Sequence, residues 1–373
     1  MMIRKSFQFS LRPTKKQAKA LQAQLDECRW LYNELLSQRK LAYEELDIPL
    51  SKYDQSMLLP LLKEERPSLD GVHSQVLQNV VDRLDKSFQA FFRRYKAGEK
   101  PGFPRFRGEH RYNSFCYPQS GFTLLGKELK LSKIGCVRIK RHRLIEGEIK
   151  TCTLRRKPSG NWTVSFSCEA KVKPQTVTQK AVGIDVGLKH FATFSDGRKI
   201  ENPRFFKNGE KVLAKAQRKL SKLEKGTRER KKQGKVVAKV HEKIRNQRID
   251  FCHKESRKII DCYQYICLED LKISKMVETS TFAKSIADAS WNQFVQFLSY
   301  KAVEAGRKIE CVDPAYTTQD CHNCGYREKK ELSERMHHCK SCGYRTSRDF
   351  NAAQNILALG LDGQGVFPRS LRL

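Results

Sequence analysis

The chain has 373 residues with 73 Lys and Arg against 41 Asp and Glu, a formal net charge of +32. That excess argues against an ordinary metabolic enzyme and points to a polyanionic partner, nucleic acid or an anionic membrane surface. With 39% hydrophobic residues the chain can build packed cores, which excludes wholesale disorder, and at about 100–200 residues per domain its length suggests two or three domains.

The membrane partner is not supported. The longest apolar runs, Met57 to Leu62 (broken by Pro60) and Ile356 to Leu361, fall far short of the ~18 residues a spanning helix needs. The opening MMIRKSFQFSLRP has no apolar h-region and no small-residue cleavage site, so it does not read as a signal peptide. Thirteen cysteines is an odd number, and Cys28, Cys116, Cys136, Cys152, Cys168, Cys252, Cys262, Cys267 and Cys311 are scattered. Scattered cysteines behave as small hydrophobes of a reducing compartment, so a cytosolic location is expected.

In chain order, Ile3 to Leu11 alternates apolar and polar residues through Phe7, Phe9 and Leu11 and predicts a strand. Thr14 and Gln17 have capping-box spacing, and Leu21, Leu25, Cys28, Tyr32 and Leu35 then recur at helical intervals. A second amphipathic helix is expected from about His73 to Tyr95, with Leu77, Val80, Leu84, Phe88 and Phe91 on one face. The stretch RRYKAGEKPGFPRFRG (93–108) follows, broken by glycines and prolines. It is either a solvated basic linker or a nucleic-acid contact in which Arg93, Arg94, Lys100, Arg105 and Arg107 pair with phosphates while Phe103 and Phe106 stack on bases.

From about 115 to 175 short β-like segments predominate: Phe122 to Leu125, Glu128 to Leu131, Val137 to Ile139, Ile149 to Leu154 and Trp162 to Cys168, with the hairpin turn KPSGN at 157–161. A small barrel or sandwich, which the N-terminal strand could complete, is expected. Its Lys133, Lys140, Arg141, Arg143, Arg155 and Arg156 suit a structured RNA or duplex, or simply a soluble basic surface. Beyond Ala181, strands Ala181 to Asp185 and His190 to Phe194, a turn at Ser195 to Gly197, strand Tyr265 to Leu268, helix Trp291 to Ala305 and strand Ile309 to Val312 predict an α/β domain. Residues 211–250 carry 15 Lys and Arg against 4 Asp and Glu and read as long exposed helices whose self-repulsion a polyanion would relieve.

Two constellations carry chemistry. Cys321-x-x-Cys324 and Cys339-x-x-Cys342, each pair followed at once by Gly, have the spacing of a closed tetrathiolate zinc site of structural type. His322, His337 and His338 are nearby alternatives. Asp185 and Glu269 end two strands, and a third acid, Asp349, opens an apolar helix (Ala352 to Leu359). Three carboxylates brought together would hold Mg²⁺ or Mn²⁺ for phosphodiester hydrolysis, although Asp349 alone would also suit a helix N-cap.

GIDVGLKHFATFSDG (183–197), LEDL (268–271), DPAYTTQDCHNCG (313–325) and CKSCGYRTSRDFNAAQNIL (339–357) strongly resemble the TnpB family, insertion-sequence RNA-guided nucleases often labelled OrfB transposases and related to type V CRISPR effectors. RPTKKQAKALQAQLDECRWLYNELL and HSQVLQNVVDRLDKSFQAFFRR extend the resemblance over essentially the whole chain. It implies a multidomain α/β protein: 1–12 as the first strand of a wedge β-barrel, 13–114 a helical recognition lobe, 115–175 the wedge β-barrel, 176–315 the first part of an RNase H-like RuvC nuclease domain, 316–345 an inserted zinc ribbon, and 346–373 the last part of the nuclease domain and tail. It implies catalytic Asp185, Glu269 and Asp349 holding Mg²⁺ or Mn²⁺, zinc on the four cysteines, a guide RNA from the element's end, a double-stranded DNA target beside a short flanking motif, and residence in the bacterial cytosol. Arg348 joins the nucleic-acid contacts. One departure is Ser347, where the family commonly has an acid. An RNA-guided repressor without cleavage and a DNA-joining transposase are the rival readings.

Overall fold

The computed structural model describes residues 2–109, 111–172, 175–331 and 333–362. The chain divides into two compact units, Met1–Lys171 and Val172–Leu373. Among the described residues no helix is long and apolar enough to cross a membrane.

The first unit opens with β1 (Met2–Arg12), followed by α1 (Lys15–Leu46), α2 (Lys52–Met57), α3 (Leu59–Glu65) and α4 (Ser74–Lys96). The capping box at the start of α1 is formed: Gln17 N donates to Thr14 Oγ1 (3.3 Å) and Thr14 N to Gln17 Oε1 (3.0 Å). The apolar stripes of α1 and α4 bury Leu21, Leu25, Cys28 and Leu35 with Leu77, Val80 and Leu84. Arg39, nearly buried on α1, donates to Gln55 of α2 (2.6 Å) and pairs with Asp85 of α4 (3.2 Å), tying three helices together.

Six strands complete the unit: β2 (Ser114–Tyr117), β3 (Phe122–Leu125), β4 (Glu128–Leu131), β5 (Gly135–Lys140), β6 (Glu148–Arg156) and β7 (Trp162–Lys171). With β1 they form one antiparallel sheet in the order β2-β6-β7-β1-β5-β4-β3. The N-terminal strand is therefore central, paired with β7 from Met2↔Lys171 to Leu11↔Trp162 and with β5 at its end. Its alternation buries Phe7, Phe9 and Leu11, as period-2 patterning requires. The two edge strands approach each other, Tyr117 of β2 lying 6.4 Å from Phe122 of β3 between ring centroids, so the sheet curls almost into a barrel rather than splitting into a sandwich.

The second unit contains β8 (Ala181–Val186), β9 (His190–Phe194), β10 (Lys199–Glu201), α5 (Phe205–Ser221), α6 (Arg228–Cys262), β11 (Tyr265–Glu269), α7 (Ile273–Thr279), α8 (Ala283–Ala289), α9 (Trp291–Ala305), β12 (Lys308–Val312), β13 (Met336–His338), β14 (Arg345–Ser347) and α10 (Arg348–Asp362). Its five-stranded sheet has the order β10-β9-β8-β11-β12, with β8, β11 and β12 parallel and β9 and β10 antiparallel. Side-chain parity sorts its two faces. Val182, Ile184, Ile266 and Leu268 join the core built with α6 and α9, whereas Cys267 points the other way, to a smaller cluster with Ile356 of α10.

The highly basic segment folds as the predicted long helices. Leu213, Ala216, Gln233 and Ile244 are its buried positions, and Gln233 Nε2 donates to Ala216 O (3.0 Å) across the α5/α6 pair. The start of α5 is capped from a distance: Phe206 N donates to Asp288 Oδ1 (2.9 Å) of α8, which also pairs with Arg248 of α6 (2.7 Å).

α10 lies so close to β8 that a Cβ at Gly183 would sit 2.1 Å from Ala353 O and 2.6 Å from Leu357 N. No side chain fits there. Gly183→Ala is therefore expected to lower stability by about 1–3 kcal/mol through overpacking, measured as a shift of the thermal unfolding midpoint. An unchanged midpoint would mean that the helix can lift without loss.

Candidate active site and metal centre

Strands β8 and β11 are parallel and in register, Ile184 opposite Leu268. The next positions, Asp185 and Glu269, are therefore side by side at the C-terminal ends of neighbouring strands. Parity then sets their direction. Asp185 is two residues from Gly183 and Glu269 two from Cys267, so both acids belong to the face that α10 covers.

The third acid comes from the helix itself. Asp349 is in the first turn of α10, where a negative side chain suits the helix dipole. It is not the N-cap. Phe350 N donates to Ser347 Oγ (3.3 Å), so the serine that departs from the family pattern takes the capping role and Asp349 is left to act on Asp185.

Two of the acids act on the third. The Asp185 carboxyl is pushed well above the usual range, first by burial, then by the charges of Glu269 and Asp349, with Arg348 opposing. Glu269 is raised by burial and partly restored by a hydrogen bond from Thr317, whose Oγ1 donates to Glu269 Oε1 at 2.6 Å. Arg348 Nε lies 3.9 Å from Asp349 Oδ1, and its Nη1 donates to Glu331 O (3.2 Å). Half-buried carboxylates gathered around one guanidinium are a donor set suited to hard divalent cations. Their oxygens are not gathered as tightly as the thiols below. Among the described residues, Cys321, Cys324, Cys339 and Cys342 are the only His, Cys, Asp or Glu group of three or more with all ligand atoms within 4.8 Å of one another.

The four cysteines come from two knuckles of the same construction. Gly325 N donates to Cys321 O (2.8 Å) and Cys321 N to Tyr326 O (2.9 Å), while Gly343 N donates to Cys339 O and Cys339 N to Tyr344 O, both at 2.9 Å. Gly325 and Gly343 have φ of +76° and +74°, a region that favours glycine. The knuckles face each other with Cys321 Sγ 3.8 Å from Cys342 Sγ and Cys324 Sγ 3.5 Å from Cys339 Sγ. A tetrahedron with metal–sulfur bonds of about 2.3 Å has edges of about 3.8 Å, so the thiols fit one tetrahedral ion. The histidines stand apart from this set: His337 is buried in β13 and contacts Lys330 through Nδ1.

The basic-aromatic stretch is only partly free. Arg93, Arg94, Lys100, Arg105 and Phe106 are exposed. Phe103 is half used, packing edge-on against Phe88 and Phe91 with centroids at 5.6 and 5.4 Å. Arg107 is committed to the fold, its guanidinium over the Tyr32 ring at 5.3 Å and its backbone N–H donating to Asn33 Oδ1 (2.7 Å).

Comparison with known proteins supplies the context. A family model described as "Probable transposase" matches residues 165–280, a "Cas12f1-like, TNB domain" model 291–356, and a "Helix-turn-helix domain" model 1–47. In this chain that last segment is one strand and one long helix. A protein named "Putative RNA-guided DNA endonuclease" from Streptomyces pristinaespiralis is 32% identical, covering 98% of this chain and 93% of its own. The "Putative RNA-guided DNA endonuclease InsQ" of Escherichia coli K12 is 31% identical over 95% and 92%.

The chain belongs to the TnpB family.

A solved structure of the mini-RNA-guided endonuclease CRISPR-Cas_phi3 aligns with TM-score 0.53 at 9% identity, covering 96% of this chain and 92% of that one, which shows a shared mixed α/β fold. Against that TnpB background, two residues within the quoted motifs have roles that the motif reading does not assign. Thr317 lies 48 positions from the acid it holds. Ser347 looked like a lost acid, although Ser is among the preferred N-cap residues.

If the knuckles fold around an ion, Cys321→Ser is expected to remove it and to lower the melting temperature, because structural metal binding is coupled to folding. Elemental analysis beside thermal unfolding checks this. Equal metal content and equal melting in wild type and variant would refute it.

Proposed function

We propose that this protein is an RNA-guided DNA endonuclease in which Asp185, Glu269 and Asp349 form the cleavage site. The observation that carries the reading is the convergence of three carboxylates from separate chain segments on one face of a sheet, in a chain of net charge +32. The name borne by relatives aligned over almost their whole length supports it.

On this reading residues 176–315 and 346–373 are an RuvC-like nuclease domain and 316–345 a zinc ribbon. Residues 1–12 and 115–175 make the wedge barrel, with 13–114 the recognition lobe. The tail beyond 362 lies outside the described residues. Zn²⁺ would be held by the four thiolates in a closed, structural shell. Mg²⁺ or Mn²⁺ would be held by the three carboxylates, and when bound supplies an activated water and stabilisation of the leaving oxygen.

The chain's own residues do the rest. Asp185 stands on a central strand flanked by β9 and β11, so its carboxylate is presented from a rigid support. Glu269 is oriented by Thr317, and Asp349 is fixed by the capped start of α10. Arg348 offers a guanidinium beside Asp349, suited to a phosphate oxygen of the bound strand. The exposed cations of 93–105 and of α5 and α6 would hold guide RNA and its heteroduplex by phosphate contact. Sequence reading is then left to base pairing and to a short flanking motif, as in other RNA-guided nucleases.

Asp185→Ala is expected to reduce target cleavage below detection while guide-dependent DNA binding stays near wild type, measured by cleavage assay beside gel shift with co-purified RNA. Full cutting by the variant would overturn the carboxylate assignment, and joined rather than cut products would favour a transposase. Replacing Arg93, Arg94, Lys100 and Arg105 by Ala is expected to weaken RNA binding. The slope of log K against log salt should fall by about 0.7–0.9 for each phosphate contact removed; an unchanged slope would return this stretch to a solvated linker.

A further inference from the structure

We infer that Thr317 is a positioning residue for Glu269, and that Asn351 and Asn355 of α10 hold it in place, so that the cysteine module and the carboxylate site form one mechanical unit. The inference rests on the reading of Asp185, Glu269 and Asp349 as the cleavage site.

Glu269 ends a strand on a side chain with three rotatable bonds, so its carboxylate needs an external restraint to face Asp185. Thr317 Oγ1 supplies one, donating to Oε1 at 2.6 Å, the length of a charge-assisted bond. Its other acceptor, Pro314 O, is at 3.2 Å. A hydroxyl has one proton to give, and the shorter contact to a carboxylate takes it. Thr317 is 3% exposed, so its hydroxyl has little access to competing water.

What holds Thr317 is α10. Asn355 Nδ2 donates to Thr317 O (2.9 Å) and to Asp320 O (2.7 Å). One turn earlier, Asn351 Nδ2 donates to Asp320 O (2.8 Å) and its Oδ1 accepts from His322 N (3.0 Å). Residues four apart on a helix share a face, so the two amides form a short ladder along the segment 317–322. That segment begins with the residue that orients Glu269 and includes Cys321 of the first knuckle. The helix that grips it carries Asp349 at its other contact with the site. Asn351 has no exposed surface, and an apolar residue there would take a partner from Asp320 O and His322 N in a part-buried place, which is costly. The ladder therefore ties the position of Glu269, through Thr317, to the helix that supplies the third acid.

The test uses the full chain with its guide RNA and a matched target. Thr317→Val, nearly isosteric but without the hydroxyl, is expected to raise the Mg²⁺ concentration for half-maximal cleavage, or lower the maximal rate, by about 10- to 100-fold, the usual cost of losing a partner of a metal-ligating carboxylate. Thr317→Ser should restore both. A readout apart from activity is Mn²⁺ titration followed by electron paramagnetic resonance, with the Asp185→Ala complex as the blank for ions on the RNA. Thr317→Val should weaken the protein-bound component while cysteine-bound metal and melting temperature stay at wild-type values. Asn355→Leu should move Mn²⁺ affinity in the same direction. Wild-type Mn²⁺ binding and Mg²⁺ dependence in Thr317→Val, with Asp185→Ala inactive, would overturn the positioning role alone. Normal Mn²⁺ binding in Asn355→Leu beside an impaired Thr317→Val would overturn the ladder, and an active Asp185→Ala would overturn the reading beneath both.

Discussion

The seating of α10 on β8 is the contact on which the rest of the candidate site depends. Gly183 carries no side chain where the helix backbone comes closest, and Gly360 plays the same part near Cys267, where a Cβ would fall 2.3 Å from the thiol sulfur. Two missing side chains, one on strand β8 and one on the helix, let the helix backbone settle onto the sheet. The first turn of that helix carries Asp349, and the strand beneath carries Asp185 two residues beyond Gly183. The separation of these acids is therefore set by backbone packing, which resists deformation, and not by loops that would have to be ordered when a ligand arrives. Preorganisation of this kind is what a hydrolytic site requires, because a displacement of about 1 Å can cost about a hundredfold in rate.

The same packing creates an electrostatic problem. Three acids share a partly desolvated cleft, and the carboxyl of Asp185 is raised by burial and by both neighbours. Among the described residues, Arg348 is the cation that acts against that rise. The remaining positive charge, which dominates the chain at +32, is spread over exposed helices and loops. The two distributions serve different distances. Exposed cations attract a polyanion over roughly a Debye length, about 8–10 Å at ordinary salt, while the acids would repel the same phosphates at contact. On the proposed reading, divalent cations held by the acids would offset that repulsion, which would make the basic exterior and the acidic site complementary.

Much of this is legible in the sequence, and the boundary has physical causes. Local patterns survived: the Thr14/Gln17 capping box, the alternation of Phe7, Phe9 and Leu11, the helix Trp291–Ala305 and the Cys-x-x-Cys-Gly repeats all declare themselves within a few residues. The helices α2, α3, α7 and α8 did not, since six or seven residues are too few to show a 3.6-residue period. That Arg107 stacks over Tyr32 is not visible in its spacing, because the two are remote in sequence. Asp185 and Glu269 stood out as acids ending apolar strands, but their common face follows from the register of β8 with β11, which only the fold provides. Thr317 lies inside the motif at 313–325, but its role is not legible there because its partner, Glu269, is remote in sequence.

The cysteine module explains why so long a connection can be tolerated between β12 and Asp349. An unstructured excursion would carry the entropy of loop closure and leave its far end free to wander. Here β13 and β14 pair antiparallel, from Met336↔Ser347 to His338↔Arg345, and β14 passes into α10 without an intervening residue. At the other end of the module, Asn351 and Asn355 hold residues 317–322 against the same helix. The excursion therefore leaves the carboxylate site beside Glu269 and returns to it at Asp349, with both of its ends attached to α10. An ion closing the two knuckles would shorten the free chain further, and the free energy of that closure would act directly on the element that seats the third acid.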